Sequence, residues 1–374
     1  MLSARDARRG AGFAAYLWDG STSGARLLRA LLAPASALYG LGVTVRDAAY
    51  RSGVLRSYPA PVRTVSIGNL RVGGTGKTPV TRWLAGAATA RGVRVAIVSR
   101  GYGGSERAAH VVGDGGSLAQ SDVARSGDEA VMLARTSGVP VVAGRDRVEA
   151  ARLAVETFGS RLLLCDDAFQ HRRLRRDLDV VLVDAGERGG LMRLLPSGPL
   201  REPLHALGRA QVVLLCDRDA SGAPGPAVRA GQLALRVRFL PVALVQPSPT
   251  GWTEIGLAAL AGQRVLVVSG VARPAPIYRL LRDWEAEPAH VLEYPDHHAY
   301  ETRHWQEIAQ AGKDVDLIVT TEKDLVKLER FPFARGKLVA IRLGVEVADR
   351  DALLARVLGT AGAEVSAGAL EQAV

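Results

Sequence analysis

The sequence predicts an α/β fold: a mostly parallel sheet flanked by helices, with a smaller α/β unit on its C-terminal side. Three observations predict it. Short apolar runs alternate with helical patterns from residue 64 onward, the sequence form of βαβ units. A glycine-rich loop stands between the first such run and the first helix that follows it. The run at residues 161–165 ends in two carboxylates, Asp166 and Asp167, and parallel sheets gather their ligands at such strand ends.

Composition bounds the rest. With 374 residues, 48% of them apolar, the chain can bury more than one core, which excludes general disorder. The net charge of +10 comes almost wholly from arginine. It favours an anionic partner, whether nucleic acid, acidic lipid or a phosphorylated substrate, though a skewed genome composition produces the same bias. Cys165 and Cys216 both lie inside apolar runs and read as buried, reduced thiols. No C-x-x-C and no His/Cys cluster points to zinc.

Residues 1–60 form an N-terminal segment of distinct character. Leu27, Leu28, Leu31, Leu32, Ala35, Leu38 and Tyr39 recur at helical spacing, flanked by Arg26, Arg29, Arg46, Arg51 and Arg56. The uncharged stretch 30–45 contains Pro34, Gly40 and Gly42 and falls short of the ~20 apolar residues a spanning helix needs. It reads either as an amphipathic helix lying in a membrane interface or as a helix packed on the protein core. A secretory signal fits less well, because the glycine loop that follows needs cytosolic nucleotide.

Residues 61–232 form the core unit. Its first strand, around residues 64–67, feeds Arg71, Val72, Gly73, Gly74, Thr75, Gly76, Lys77 and Thr78, and Pro79 then stands where a helix begins. Strand, glycine loop and helix in that order make a phosphate-binding loop. Glycines let backbone N–H groups turn toward phosphate oxygens at the positive end of the helix. Lys77 is placed to reach the terminal phosphates of a nucleotide such as ATP, and the Thr78 hydroxyl to ligate Mg²⁺. The common spacing GxxxxGK[ST] wants glycine where Arg71 stands, so this is the shorter GGxGK[ST] variant. Strands at 93–99, 139–143, 161–165, 180–183 and 212–216 and helices at 128–136 and 148–158 follow. The loops after residues 67, 99, 165 and 183 are expected to converge on one site.

Within that site a magnesium–nucleotide complex needs an acid beside the loop, and either Asp166 or Asp167 supplies it. Asp128, in Gly127-Asp128-Glu129, is either the cap of the next helix or a general base for an acceptor hydroxyl. Gln170 and His171 open a run of arginines, 172–176, that is either a solvated basic turn or an anion clamp for a substrate phosphate. The segment 195–203, punctuated by three prolines, either shapes the site or merely makes a firm connection.

Residues 233–358 form the smaller unit, with strands at 233–246, 265–269 and 317–320 and helices at 277–284 and 303–311. Its densest titratable group is Asp296-His297-His298, suited to proton transfer or to capping a helix. Thr321-Glu322-Lys323-Asp324 superficially matches the guanine-reading N-K-x-D, but its lysine is one place late, and it is set aside. Residues 359–374 are small and alanine-rich and read as a frayed tail.

Taken in order, these pieces resemble one family. They are the 66–79 loop, Ser99-Arg100-Gly101-Tyr102-Gly103-Gly104, Gly127-Asp128-Glu129, Asp166-Asp167 with Gln170-His171, the 194–203 segment, 269–274, Pro295-Asp296-His297-His298 and 320–327. The set is similar to the tetraacyldisaccharide 4'-kinases, the lipid A 4'-kinases of Gram-negative bacteria. The resemblance implies a P-loop NTPase core and a smaller C-terminal domain with the site between them. It implies transfer of the γ-phosphate of ATP to the 4'-hydroxyl of a lipid A disaccharide 1-phosphate, at the cytoplasmic face of the inner membrane. It implies Lys77, Asp128 and His297 as catalytic groups, with His297 sharing the proton that Asp128 takes. It also implies Arg147 as a substrate contact beside Gln170 and His171, and residues 1–60 as a membrane anchor. The chain departs from the family where Ala168 replaces glycine, Ala130 replaces proline, and Gly190-Leu191-Met192 replaces Gly-Asn-Gly. The competing reading is a nucleotide switch or metallochaperone-type NTPase acting on a protein partner. No obligate protein partner is inferred, and nucleic acid is set aside for want of any binding module beyond charge.

Overall fold

The computed structural model describes residues 16–18, 22–118, 122–186, 192–217, 225–248, 251–271, 274–332 and 336–359. Most of the tail expected at 359–374, the first fifteen residues, and Gly190 and Leu191 lie outside them.

Two helices open the described chain, α1 (Ser23–Leu31) and α2 (Ala33–Arg51). Apolar periodicity predicts one run here, but the chain breaks at Leu32, because Pro34 fits the first turn of a helix and not its interior. The two helices meet at a bend of 48°. The core unit follows as β1 (Arg63–Asn69), α3 (Lys77–Thr89), β2 (Val95–Ser99), β3 (His110–Asp114), the single turn α4 (Val123–Ser126), α5 (Asp128–Thr136), β4 (Pro140–Ala143), α6 (Arg147–Phe158), β5 (Leu162–Asp166), β6 (Leu178–Asp184) and β7 (Val212–Cys216). The remainder is β8 (Leu233–Ser248), β9 (Gly251–Ile255), β10 (Arg264–Ser269), α7 (Ala275–Asp283), β11 (Glu287–Glu293), α8 (Thr302–Ala311), β12 (Leu317–Thr321), α9 (Glu322–Leu328), β13 (Leu338–Val347) and α10 (Arg350–Leu358).

The described strands form one sheet, in the order β11-β10-β12-β13-β8-β7-β6-β1-β5-β2-β4-β3, with β9 on β8. β1 lies between β5 and β6 and is parallel to both. Helices cover both faces here, so these strands are continuous apolar runs with no exposed side: Leu162, Leu163, Leu164 and Cys165 are all buried. α3, α5 and α10 pack on one face and α6 on the other. Both cysteines are buried, and neither forms a disulfide.

β8 joins the two units. Its first part runs parallel to β7, and its second part runs antiparallel to β13. The sheet therefore passes without a break from the core unit into the C-terminal one. The apolar-run reading passes over β3, β9, β11 and β13. β11 ends the sheet order and carries Pro288 and His290, the composition of a half-exposed edge.

Candidate active site

The phosphate loop is shaped from both ends. Asn69, the last residue of β1, donates through Nδ2 to Thr75 Oγ1 at 2.8 Å. The Val72 N–H donates to the Pro199 carbonyl at 2.9 Å, and the Arg201 N–H donates to the Leu70 carbonyl at 2.7 Å. Arg71, nearly buried, pairs through its main chain with Leu200. The segment 195–203 is thus a wall of the loop, which answers what its prolines are for. Gly76 turns the chain at φ +90°, and a Cβ there would lie 2.2 Å from the Phe239 ring, so only glycine fits. Lys77 then begins α3, which aims the positive end of the helix at the loop.

The paired acids at the end of β5 do different things. Asp166 is fully enclosed, its Oδ1 accepting from the Thr81 hydroxyl at 2.9 Å and its Oδ2 from the Thr78 hydroxyl at 3.3 Å. Burial, and then the nearby Glu129 carboxylate, push its pKa up to about 7. Asp167 sits outside the strand at φ +48°. Arg201 Nη1 donates to both of its oxygens, at 3.1 and 3.0 Å, and Lys77 Nζ lies 3.6 Å away. Burial opposes its ionisation, but Lys77 and Arg201 prevail and hold it below the usual carboxylate range. A divalent cation therefore fits at Asp166 with Thr78: both offer hard oxygens, and the buried carboxylate has no cation bonded to it. Asp167 is already neutralised by two cations. Among the described residues no three His, Cys, Asp or Glu side chains converge on a metal-sized point, so protein groups would fill only part of such an ion's shell.

Across from these acids, Asp128 opens α5 directly after Gly127, whose φ is +83° and where a Cβ would lie 2.1 Å from the Tyr102 carbonyl oxygen, leaving no room for a side chain. His297, at φ +60° in the turn after β11, brings Nδ1 within 3.2 Å of both Asp128 oxygens. α9 packs against α5 and presents Lys323 and Lys327 on one face. Lys327 Nζ lies 3.4 Å from Asp128 Oδ2 and 3.1 Å from Asp324 Oδ1. Lys323 Nζ lies 3.0 Å from His297 Nε2, 2.8 Å from Asp296 Oδ1 and 3.5 Å from Glu129 Oε1. Burial alone would raise the Asp128 pKa, but the His297 hydrogen bond and the charges of Lys323 and Lys327 outweigh it and bring it to about 2. For His297 burial lowers the pKa, the bond to Asp128 raises it, and the net shift is upward. Tyr102, 57% exposed, holds its ring 5.0 Å from the imidazole.

The three residues expected at the substrate lie behind the acids. Arg147 is 2% exposed, and its guanidinium donates to the carbonyls of Gly144 and Arg145 at 3.4 Å and of Asp167 at 3.5 Å. Gln170 Nε2 donates to the Asn69 carbonyl at 2.8 Å. His171 is half-buried, and desolvation with Arg147 beside it drops its pKa to about 4, leaving a neutral ring. The basic turn is largely tied down too: Arg172 pairs with Asp47, Arg173 with Asp146 and Arg176 with Asp179. Motif reading missed Thr81 and gave no role to Arg201, Lys323 and Lys327, although they fall inside the 194–203 and 320–327 segments. For the lysines a signal existed, since a Thr321 cap followed by lysines four residues apart puts two cations on one helix face.

A family model described as LpxK, tetraacyldisaccharide-1-P 4'-kinase, matches residues 28–361. The protein named tetraacyldisaccharide 4'-kinase from Anaeromyxobacter sp. (strain Fw109-5) is 40% identical over 356 residues, covering 92% of this chain and 95% of its own. Its namesake from Geobacter sulfurreducens is 40% identical over 328 residues, covering 85% and 90%. Among solved structures, LpxK from Aquifex aeolicus, crystallised in complex with ATP, superposes with a TM-score of 0.73 at 28% identity, covering 88% of this chain and 98% of that one.

Proposed function

We propose a division of catalytic labour for this chain, which belongs to the tetraacyldisaccharide-1-P 4'-kinase family. It is an ATP-dependent tetraacyldisaccharide 4'-kinase of lipid A biosynthesis. The finer assignment is that the γ-phosphate of ATP passes to the 4'-hydroxyl of the disaccharide 1-phosphate, with the groups above in distinct roles.

The loop 71–78 cradles the phosphates, and Lys77 neutralises charge that builds on the transferring group. Thr78 and Asp166 would hold Mg²⁺, which would supply positive charge to offset that of the phosphates. Asp167 keeps Lys77 and Arg201 in place rather than ligating metal, and Arg147, Gln170 and His171 brace this wall instead of touching substrate. Asp128 takes the acceptor hydroxyl's proton, and His297 steadies the carboxylate through Nδ1. A carboxylate with a pKa of about 2 is a weak base, yet it suffices in a loose transition state, where the hydroxyl becomes strongly acidic only as the new P–O bond forms.

The observation that carries this reading is the nearly buried Asp128 carboxylate bonded to His297, on a helix that packs beside the phosphate-loop helix. It is tested with γ-labelled ATP and a lipid A disaccharide 1-phosphate, using the wild type and Asp128→Asn. Label is expected on the lipid with the wild type and to be lost in the variant, with ATP binding retained. Label released only as free phosphate, whatever the acceptor, overturns the acceptor assignment.

The α1–α2 pair is the proposed membrane contact. Leu27, Leu31, Leu38, Leu41 and Val45 are all exposed, Leu38 by 71%, while only Ala25 and Ser36 of the two helices are buried. Among the described residues no single helix is long and apolar enough to cross a bilayer, although this bent pair satisfies length and composition together. An apolar face with flanking arginines fits a peripheral position in an anionic leaflet, and the need for ATP favours the cytoplasmic face of the inner membrane.

A further inference from the structure

We infer that Lys323 and Lys327 on α9 are positioning residues for phosphoryl transfer, Lys327 holding Asp128 as an oriented anion and Lys323 fixing the tautomer of His297. The inference rests on the assignment of Asp128 and His297 as the proton-handling pair.

Lys323 sets the tautomer by elimination. An ammonium only donates, so at 3.0 Å from Nε2 it requires a lone pair on that nitrogen. The ring proton then sits on Nδ1, 3.2 Å from both Asp128 oxygens, and the imidazole can only donate to the carboxylate. The ammonium is held there by Asp296 Oδ1 at 2.8 Å and Glu129 Oε1 at 3.5 Å.

Lys327 sets the carboxylate. It is nearly buried, between Asp128 Oδ2 and Asp324 Oδ1, and its Nζ lies 5.4 Å from the centre of the Tyr300 ring. Asp324 is in turn fixed, since its Oδ2 accepts from the Gly270 N–H at 2.8 Å and from the Thr321 hydroxyl at 2.9 Å. Fastening α9 to the core does not need this arrangement. Arg82 and Glu322 at 2.8 Å, and Arg135 and Glu329 at 2.7 Å, already do that on either side. Two further cations aimed at the two members of one proton-handling pair have a chemical use instead.

The charged groups facing the pair are Glu129 from α5, Asp296 from the His297 turn, and Lys323, Asp324 and Lys327 from α9. Removing either ammonium leaves a net more negative surround, which strengthens proton binding by both Asp128 and His297. The acid limb of the rate profile is then expected to move to higher pH.

The test compares Lys327→Met, Lys327→Arg, Lys323→Met and Asp128→Asn with the wild type for kcat, KM(ATP) and the pH profile of kcat/KM. Lys327→Met is expected to lose about 10–100-fold in kcat, a large part of a general-base contribution. KM(ATP) should stay within about twofold, and the acid limb should rise by about one pH unit. Lys327→Arg keeps the charge and should recover most of the rate. A lower melting temperature with unchanged kcat and unmoved limb marks a merely structural lysine and overturns the inference. Should Lys327→Met fail to fold, Lys323→Met decides by the same readouts, through His297. Activity retained by Asp128→Asn refutes the underlying pair, whereas an inactive Asp128→Asn beside a normal Lys327→Met refutes only the role of α9.

Discussion

At the scale of single residues, charge and burial separate groups that look alike as letters. Asp128 has a folded-state pKa of about 2 against an ordinary 3.8, so its contribution to stability is complete above about pH 4 and lost as the pH falls toward 2. That shift corresponds to ~2 kcal/mol. His297 is shifted upward from 6.5, so its contribution is complete below that value and lost as the pH rises through the higher folded value. Denaturant unfolding should therefore show that the wild-type advantage over Asp128→Asn shrinks between pH 4 and pH 2, and a constant difference would contradict the assignment. Arg147 tests another distinction. As a brace under the carbonyl of Asp167, which is held at positive φ, its replacement by Met should cost ~2–4 kcal/mol of stability, as other buried hydrogen-bonding charges do. A substrate contact would instead raise KM for the lipid with no change in melting temperature. The phosphate loop, the acid pair, Asp128 and His297 were legible because each sits in a short motif. Which acid is neutralised by protein cations was not, because Arg201 reaches Asp167 from 34 residues away along the chain.

At the scale of elements, α2 has two faces with separate duties. Its inner face is fastened to the wall of the site: the Ser36 hydroxyl donates to the Leu194 carbonyl at 3.1 Å, the Tyr39 hydroxyl to the Arg201 carbonyl at 2.9 Å, and Arg46 pairs with Glu202 at 2.6 Å. Its outer face offers Leu38, Leu41 and Val45 to a surface of similar polarity. Apolar spacing revealed the helix but left both readings open: the inner face is packed on the protein, and the membrane reading passes to the outer face as a proposal. Replacing Leu38 and Leu41 with Ser should weaken partitioning to anionic vesicles by about 10–100-fold, since a buried leucine contributes ~1.5–3 kcal/mol and these insert only in part. Turnover of a short-chain, dispersed acceptor should stay near wild type in the same variant. Unchanged vesicle binding would assign the leucines to some other surface. α9 is the opposite case: its segment 320–327 counted toward the family resemblance, but no role came with its lysines, because their use shows only once the helix face is packed beside Asp128.

At the scale of the whole molecule, the proposed proton-handling pair is assembled from the two units of one continuous sheet. Asp128 belongs to the core unit, while His297, Lys323 and Lys327 arrive from beyond β8, so the proposed chemistry makes a demand on how firmly α9 is held against α3 and α5. Glu322 is central to that fastening. Arg82 of α3 donates to both of its oxygens at 2.8 Å, and Arg342 of β13 donates through Nε to Oε1 at 2.8 Å. The three side chains are 9%, 17% and 17% exposed, enough shielding for the charges to matter and enough water to soften the loss. Glu322→Ala would leave two guanidinium groups facing one another and remove an acid from the first turn of α9, where the helix dipole favours one. The expected cost is ~2–4 kcal/mol in stability, below the full penalty for an unpaired buried charge. If Glu322 fastens the helix that carries the lysines, kcat should fall with stability while KM(ATP) holds, because the hydrogen bonds that shape the phosphate loop come from Asn69 and the 195–203 wall and not from α9. Glu322→Gln, which keeps the shape and some hydrogen bonds, should lie between. A destabilised Glu322→Ala enzyme with undiminished kcat below its melting range would mean that Arg135 and Glu329 alone keep α9 in register. The salt-bridge cluster would then be a matter of stability, with no part in assembling the site.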